Sequence, residues 1–260
     1  MSTDWDGLEY RQVSGMQQWL AERALAGVGL DGVRSVLDIG CGDGRITTTL
    51  AARIPGARVV GVDPSPGMIA AAPATSAVEF RIGDVLDERF SAEFDLVVSF
   101  NALHWVLDTA RALRSIASAL QPGGRALLVL VCAGERPSLE DVAMRVTAGP
   151  PWRDQFAAFQ RPYEHPQPQR WNELAEAAGL QEVTTRVEDL TWDFGDRQSM
   201  ARWCAAGFGA WTALLPSAQK QAFVDDVVDA YAEVAGSDQL LRFMQLRSLL
   251  QRREAGAATG

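Results

Sequence analysis

Between Ser35 and Ala133 the chain repeats one rhythm: a short apolar run, a tight break, an amphipathic stretch, and another apolar run. The runs are "SVLDI" from Ser35, "ARVVGVD" ending at Asp63, "VEFRIGDV" ending at Val85, "FDLVVSFNALHW" from Phe94, and "RALLVLVCA" from Arg125. Such runs are apolar on both faces, which suits strands buried above and below; strands of that kind belong to parallel sheets covered by helices. The intervening stretches carry helix signals. "GRITTTLAARIPG" ends at Pro55-Gly56, "SPGMIAAA" places a proline in a first turn, and "TARALRSIASALQPGG" is amphipathic and stopped by Pro122, Gly123 and Gly124. The order β-α-β-α-β-β-α-β predicts an α/β fold, a mostly parallel sheet with helices on both faces.

The flanks are less regular. From Leu8 to Ala26, Val13, Met16, Leu20 and Ala24 recur at helical spacing. After Ala133 the sequence becomes polar and proline-broken, then "QEVTTRVEDLTWDF" alternates like a strand. Gly195 to Gly236 is helical and rich in aromatic residues, among them Trp203, Phe208, Trp211, Phe223 and Tyr231. "LLRFMQLRSLLQRR" fits a strand or a helix, because its apolar residues satisfy both periods. We therefore expect one domain over 1–260: an N-terminal helical segment (1–30), a core (31–135), two cap insertions (136–180 and 191–240) and a disordered tail (253–260).

Composition removes whole classes of function. The net charge is −9, Lys220 is the only lysine, and no basic stripe carries interleaved aromatics, so the field repels nucleic acid. The longest apolar runs fall short of the roughly 20 residues a membrane helix needs. "MSTDWDGLEY" lacks the basic and apolar regions of a secretory signal, and a cytoplasmic location is expected. Cys41, Cys132 and Cys204 are odd in number and far apart, which suits small buried thiols better than disulfides or zinc. No spacing of His, Asp or Glu suggests a metal.

The chemistry concentrates in "VLDIGCGDGR", from Val36 to Arg45. A dinucleotide site uses G-x-G-x-x-G and offers a helix N-terminus to pyrophosphate. Here Gly40, Gly42 and Gly44 are spaced G-x-G-x-G, with Arg45 where the third glycine of that pattern would stand. Asp38 and Asp43 bring carboxylates to the turn, which is unfavourable beside a pyrophosphate and favourable beside an ammonium group. The turn reads as a site for a ligand with a positive group and no phosphate.

The same stretch resembles motif I of class I S-adenosylmethionine-dependent methyltransferases, whose fold is Rossmann-like with a seven-stranded sheet. The resemblance implies S-adenosyl-L-methionine as cofactor and S-adenosyl-L-homocysteine as product. It places Asp63, 21 positions beyond Gly42, on the ribose hydroxyls, Asp84 near the adenine amino group, and Val85 beside the ring. It sets Gly40 and its neighbours close to the methionine part, where a Cβ would collide. Asp38, Cys41, Gly42, Pro64, Met68 and Asn101 complete the expected cofactor residues. A nicotinamide enzyme, or a methyltransferase-like binding protein without turnover, is the competing reading.

More narrowly, the chain resembles the trans-aconitate methyltransferase and juvenile hormone acid methyltransferase group. Trp5 and Tyr10, Ser14 and Gln17, "SPGMI" from Ser65, "NALHWV" from Asn101 and "LQPGG" from Leu120 carry the likeness. It implies a carboxylic acid as acceptor, a methyl ester as product, and Gln17 and Trp105 beside the acceptor carboxylate. A carboxylate, with pKa about 4, is already ionised at neutral pH and needs no base. A phenol, amine or carbon acceptor often needs one, and of the two histidines His104 sits at the end of the fourth predicted strand. His104 is thus a candidate base, an acceptor hydrogen bonder or a neutral wall, whereas His165 reads as a loop residue. Trp203, Phe208 and Trp211 with Trp152, Phe156 and Phe159 form either a lid over an apolar substrate or the core of the added helices. Arg11, Arg153, Arg161 and Arg170 show no spacing that pairs them for a tricarboxylate, so the expected acceptor is a small organic acid of apolar character.

Overall fold

The computed structural model describes residues 5–87 and 89–254. The predicted N-terminal helix is two helices, α1 (Gly7–Val13) and α2 (Gly15–Leu25), broken at Ser14. Asp6 starts α1 by accepting the N–H groups of Leu8 and Glu9. Then come β1 (Ser35–Ile39), α3 (Arg45–Arg53), β2 (Arg58–Asp63), α4 (Pro66–Ala71), β3 (Glu79–Ile82) and β4 (Phe94–Phe100). A single 3₁₀ turn, Leu103–Trp105, leads to α5 (Thr109–Ala119), which Asp108 caps, and to β5 (Leu120–Val131).

The second half adds α6 (Leu139–Thr147), α7 (Pro168–Ala177), β6 (Leu180–Asp193), α8 (Arg197–Gly207), α9 (Gly209–Thr212), α10 (Ser217–Ala235) and β7 (Leu240–Arg252). The Pro-Gly-Gly break lies inside β5: Leu120 pairs with Phe94 and Arg125 with Leu96, so "QPGG" bulges between them. Of the predicted tail (253–260), residues 255–260 lie outside the described residues, and Arg253 N donates to the Gly179 carbonyl.

The seven strands are ordered β3-β2-β1-β4-β5-β7-β6. β1 to β5 run parallel, and β7 inserts antiparallel to both β5 and β6. That resolves the ambiguous "LLRFMQLRSLLQRR" as a strand. Its pattern lacked alternation because an internal strand is covered on both faces. The chain winds outward from β1 to β3, then returns to β4 on the other side. The switch between β1 and β4 opens a crevice at the carboxyl ends of these strands, where open α/β sheets bind ligands.

Successive side chains of one strand supply opposite cores. Leu37, Val60 and Val97 face a cluster completed by Ile116, Leu128 and Trp171, while Val36, Val59 and Leu96 face one completed by Leu50, Val98 and Leu127. A third, aromatic cluster joins Met16 and Leu20 of α2 to Trp152, Phe156, Tyr163, Trp211, Phe223 and Tyr231. Trp171 and Ala175 of α7 belong to the first cluster. The segment expected as a cap at 136–180 therefore divides: α6 joins the aromatic layer, and α7 covers the sheet. Among the described residues no helix is long and apolar enough to cross a membrane.

Candidate active site

The glycine turn folds down over the end of β2. The N–H groups of Gly40 and Cys41 both donate to the Val62 carbonyl, at 2.8 and 3.0 Å. Gly40 has φ of +70°, and a Cβ there would lie 2.1 Å from the Ala102 Cβ. The left-handed backbone and the close approach of β4 both require glycine. Contact with Ala102 also brings the "NALHW" stretch against the turn.

Two carboxylates converge below it. Asp63 accepts the Gly42 N–H on Oδ2 and the Ser65 N–H on Oδ1, each at 2.9 Å, so its orientation is set by backbone. Burial pushes its pKa up, against the pull of these two bonds. Asp38 is 1% exposed; Oδ2 accepts the Thr47 hydroxyl at 2.7 Å, and Oδ1 has no hydrogen-bond partner. Burial, opposed by the Thr47 bond and reinforced by Asp63, pushes Asp38 up to about 7. A buried carboxylate oxygen without a partner beside a glycine cradle fits a ligand ammonium.

Asp43 does not share that task. The sequence suggested both Asp38 and Asp43 as counter-charges for a ligand, but Arg11 Nε donates to Asp43 Oδ2 at 2.9 Å. The Arg11 guanidinium also reaches the Asp43 carbonyl and the Ala71 carbonyl. Arg11 thereby pins α1 across the turn. Trp5 N donates to Ser65 Oγ at 3.0 Å, and Gly7 packs against Ala71. Tyr10 is half-buried on α1, its hydroxyl pushed up by desolvation and by the charges of Asp43 and Asp63.

The remaining predicted cofactor residues line the same edge. Asp84 is half-buried and caps its own turn by accepting the Leu86 N–H at 2.9 Å, while Val85 is buried in the core. Met68 is buried on α4 and Pro64 is exposed. The Cys41 thiol is buried, and burial and the nearby carboxylates push its pKa well up, which disfavours the thiolate. Asn101 adopts φ of +53°, accepts from Gln245 Nε2 at 3.3 Å, and leaves Nδ2 buried without a partner.

Beyond Asn101 the site becomes a nest of rings. Trp105 packs edge-on against Trp5, Tyr163 and Trp211, with centroids 5.7, 6.4 and 6.1 Å away. His104 is buried beside it, with Nδ1 unpartnered. Burial, and secondarily His165, hold the His104 pKa well below the usual histidine value, so its imidazole is neutral. Gln17 is buried, with Oε1 unpartnered, on the face of α2 whose Met16 and Leu20 enter the aromatic cluster. Trp203 and Trp211 also leave Nε1 without a partner.

His165 is the residue that sequence reasoning missed. Its side chain is 6% exposed, and its ring lies 6.0 Å from that of His104 and 4.7 Å from that of Tyr163. The loop is pinned on both sides: Glu164 N donates to the His104 carbonyl, and Ala133 N to the Pro166 carbonyl. A histidine between prolines has no period to read.

The known proteins share this architecture. The methyltransferase domain family matches residues 36–124, which hold the glycine turn, Asp63, Asp84 and the end of β4. Residues 36–124 match a methyltransferase domain, and the sheet that holds them has the Rossmann-like fold of class I methyltransferases. The trans-aconitate 2-methyltransferase of Mycobacterium tuberculosis is 39% identical over 119 residues, 46% of this chain and 45% of that protein. That of Methylobacterium nodulans is 34% identical over 156 residues, 60% of each. The chain thus spans about half the length of these curated relatives. Phosphoethanolamine N-methyltransferase 2 of Haemonchus contortus, solved with S-adenosyl-L-methionine, superposes with a TM-score of 0.64 at 20% identity, over 95% of this chain and 57% of that one.

Proposed function

We propose that this chain transfers a methyl group from S-adenosylmethionine to the carboxylate of a small organic acid of apolar character, giving a methyl ester. The observation that carries this reading is the acceptor end of the site. It presents ring walls and a buried donor without a partner, Trp211 Nε1, beside a histidine that burial holds neutral. Those groups suit an acceptor that arrives as an anion and has no proton to lose. The names of the relatives, trans-aconitate 2-methyltransferases, point to acids as well.

The cofactor supplies an electrophilic methyl group on a sulfonium, open to in-line displacement. Asp38 meets its ammonium group, Asp63 its ribose hydroxyls, and Asp84 and Val85 its adenine. Gly40 and Gly42 let the backbone approach. Trp105 and Gln17 border the acceptor, and α1 shields the turn from water, so that alignment and water exclusion supply the catalysis.

A mass-spectrometric methyl-transfer screen tests the reading, with short and medium-chain acids, isoprenoid acids, phenols and amines offered in separate pools. A gain of one methyl confined to acids and reversed by mild base is the expected result. Gain only among phenols or amines sinks it and favours the second reading, methylation of a hydroxyl, amine or carbon with His104 as base, which the unpartnered His104 Nδ1 supports. The His104→Gln variant separates the two. Transfer to a carboxylate should fall no more than about tenfold, whereas loss of a general base costs about a hundredfold to ten-thousandfold.

The pKa of Asp38 gives a second expectation. It is raised from 3.8 to about 7, so the free fold favours the protonated form. The stability contributed by that form is complete below the ordinary carboxylate pKa and is lost as pH rises through about 7. An ammonium ligand requires the ionised form, so affinity for S-adenosylhomocysteine should rise with pH across the same range. Calorimetric titrations from about pH 6 to 8 should show the rise in the native chain and a flat, weaker profile in Asp38→Asn. An unchanged slope in the variant would remove Asp38 from the cofactor site.

A further inference from the structure

Beyond the ring cluster, at the end of β5, lies a cavity of about 230 Å³ that no motif announced. Its wall brings together Arg136, Arg161 and Arg242 with Asp141, Gln167 and His165. In a chain of net charge −9, such a gathering of guanidinium groups is unusual. Arg136 pairs with Asp189 and Arg161 with Asp141. Arg242, exposed on β7, makes no ion pair among the described residues, although its field reaches Asp189.

His165 forms part of the cavity wall. This ring belongs at once to the cavity wall and to the cluster around His104 and Tyr163. Its Nε2 is buried without a hydrogen-bond partner, with Glu140 Oε2 3.8 Å away and too far to serve. A buried ring nitrogen left without a partner is costly, and it points to a group supplied from the cavity.

We propose that this cavity is the mouth through which the carboxylate acceptor enters, with Arg242 as the cation that captures it and His165 as the contact that hands it to the rings around Trp105. The inference rests on the carboxylate reading above. An acidic protein repels an anionic substrate at long range, and with Arg136 and Arg161 already paired to carboxylates Arg242 is the cation on this wall left to offset that repulsion locally. The same cation has no hold on the ester. Methylation removes the charge that Arg242 recognises, so acid in and ester out differ at this one place.

The chain has only two histidines, so the ring resonances of His165 can be followed by NMR and assigned with His104→Gln. The protein is saturated with S-adenosylhomocysteine and titrated with hexanoate or glutarate, each beside its fully methylated ester. Saturable shifts at His165 with the acids and none with the esters are expected. Arg242→Gln should weaken the acids about tenfold, the loss of one charge-assisted hydrogen bond, and Arg242→Lys should recover part of it. The absence of acid-induced shifts at His165, equal shifts from the esters, or equal affinity in Arg242→Gln would each overturn the proposal. His165 shifts that depend on Arg242, in a protein that forms no ester with the methyl donor, would keep the mouth and sink the carboxylate reading. Ester formation indifferent to Arg242→Gln would do the reverse.

Discussion

Replacing Asp63 by alanine should reduce affinity for S-adenosylhomocysteine a hundredfold or more, about 3 kcal/mol, because hydrogen bonds to a buried carboxylate are among the strongest in proteins. The effect has two parts. The ribose hydroxyls lose their acceptor, and the Gly42 and Ser65 N–H groups lose theirs, so the glycine turn is no longer tied to the end of β2. Asp63→Asn separates them. It keeps one carbonyl oxygen for one of the two N–H groups, so it should recover most of the thermal stability while leaving binding weak. Calorimetry with the homocysteine product and thermal unfolding of both variants provide the check. Wild-type affinity in Asp63→Ala would refute the placement of the ribose.

Gly40→Ala is the second large effect, and it is a folding effect before it is a binding effect. The new Cβ would lie 2.1 Å from the Ala102 Cβ, where no flexible side chain can yield, and the residue would be held at φ of +70°. Left-handed backbone costs an alanine about 1 kcal/mol, and overpacking adds about 1 to 3 kcal/mol. Chemical denaturation should therefore show a loss of about 2 to 4 kcal/mol. Gly32 has φ of +78° with nothing within 4 Å of its Cβ position. Gly32→Ala isolates the backbone share and should cost about 1 kcal/mol. If the two variants lose equally, the crowding against Ala102 is relieved by a shift of β4, and the close approach of "NALHW" to the turn is soft.

Much of the site was legible because its parts are local. Apolar runs bounded by breaks identify β1, β2, β4 and β5, and the strand ends carry Asp38 and Asp63 to one edge by the alternation of the chain itself. The glycines at 40, 42 and 44 announce a turn that other residues adopt only at a cost. Charge near that turn separated an ammonium ligand from a pyrophosphate.

Other decisions involve partners far apart in the chain, and no period records them. Arg11 pairs with Asp43 across 32 positions. β7 slides antiparallel between β5 and β6, although its own residues fit a helix as well. Trp171 turns α7 onto the sheet instead of the aromatic layer, and His165 joins His104 only because its loop is bonded at both flanks. Arg136, Arg161 and Arg242 meet around one cavity from three separate segments. The sequence by itself determined the α/β class, the glycine turn and the carboxylates at the strand ends, because those depend on propensity and spacing within a few residues. The surroundings of Trp105, His104 and His165 waited for the tertiary structure, because burial and ion pairing between distant segments are settled by the packing of the whole chain.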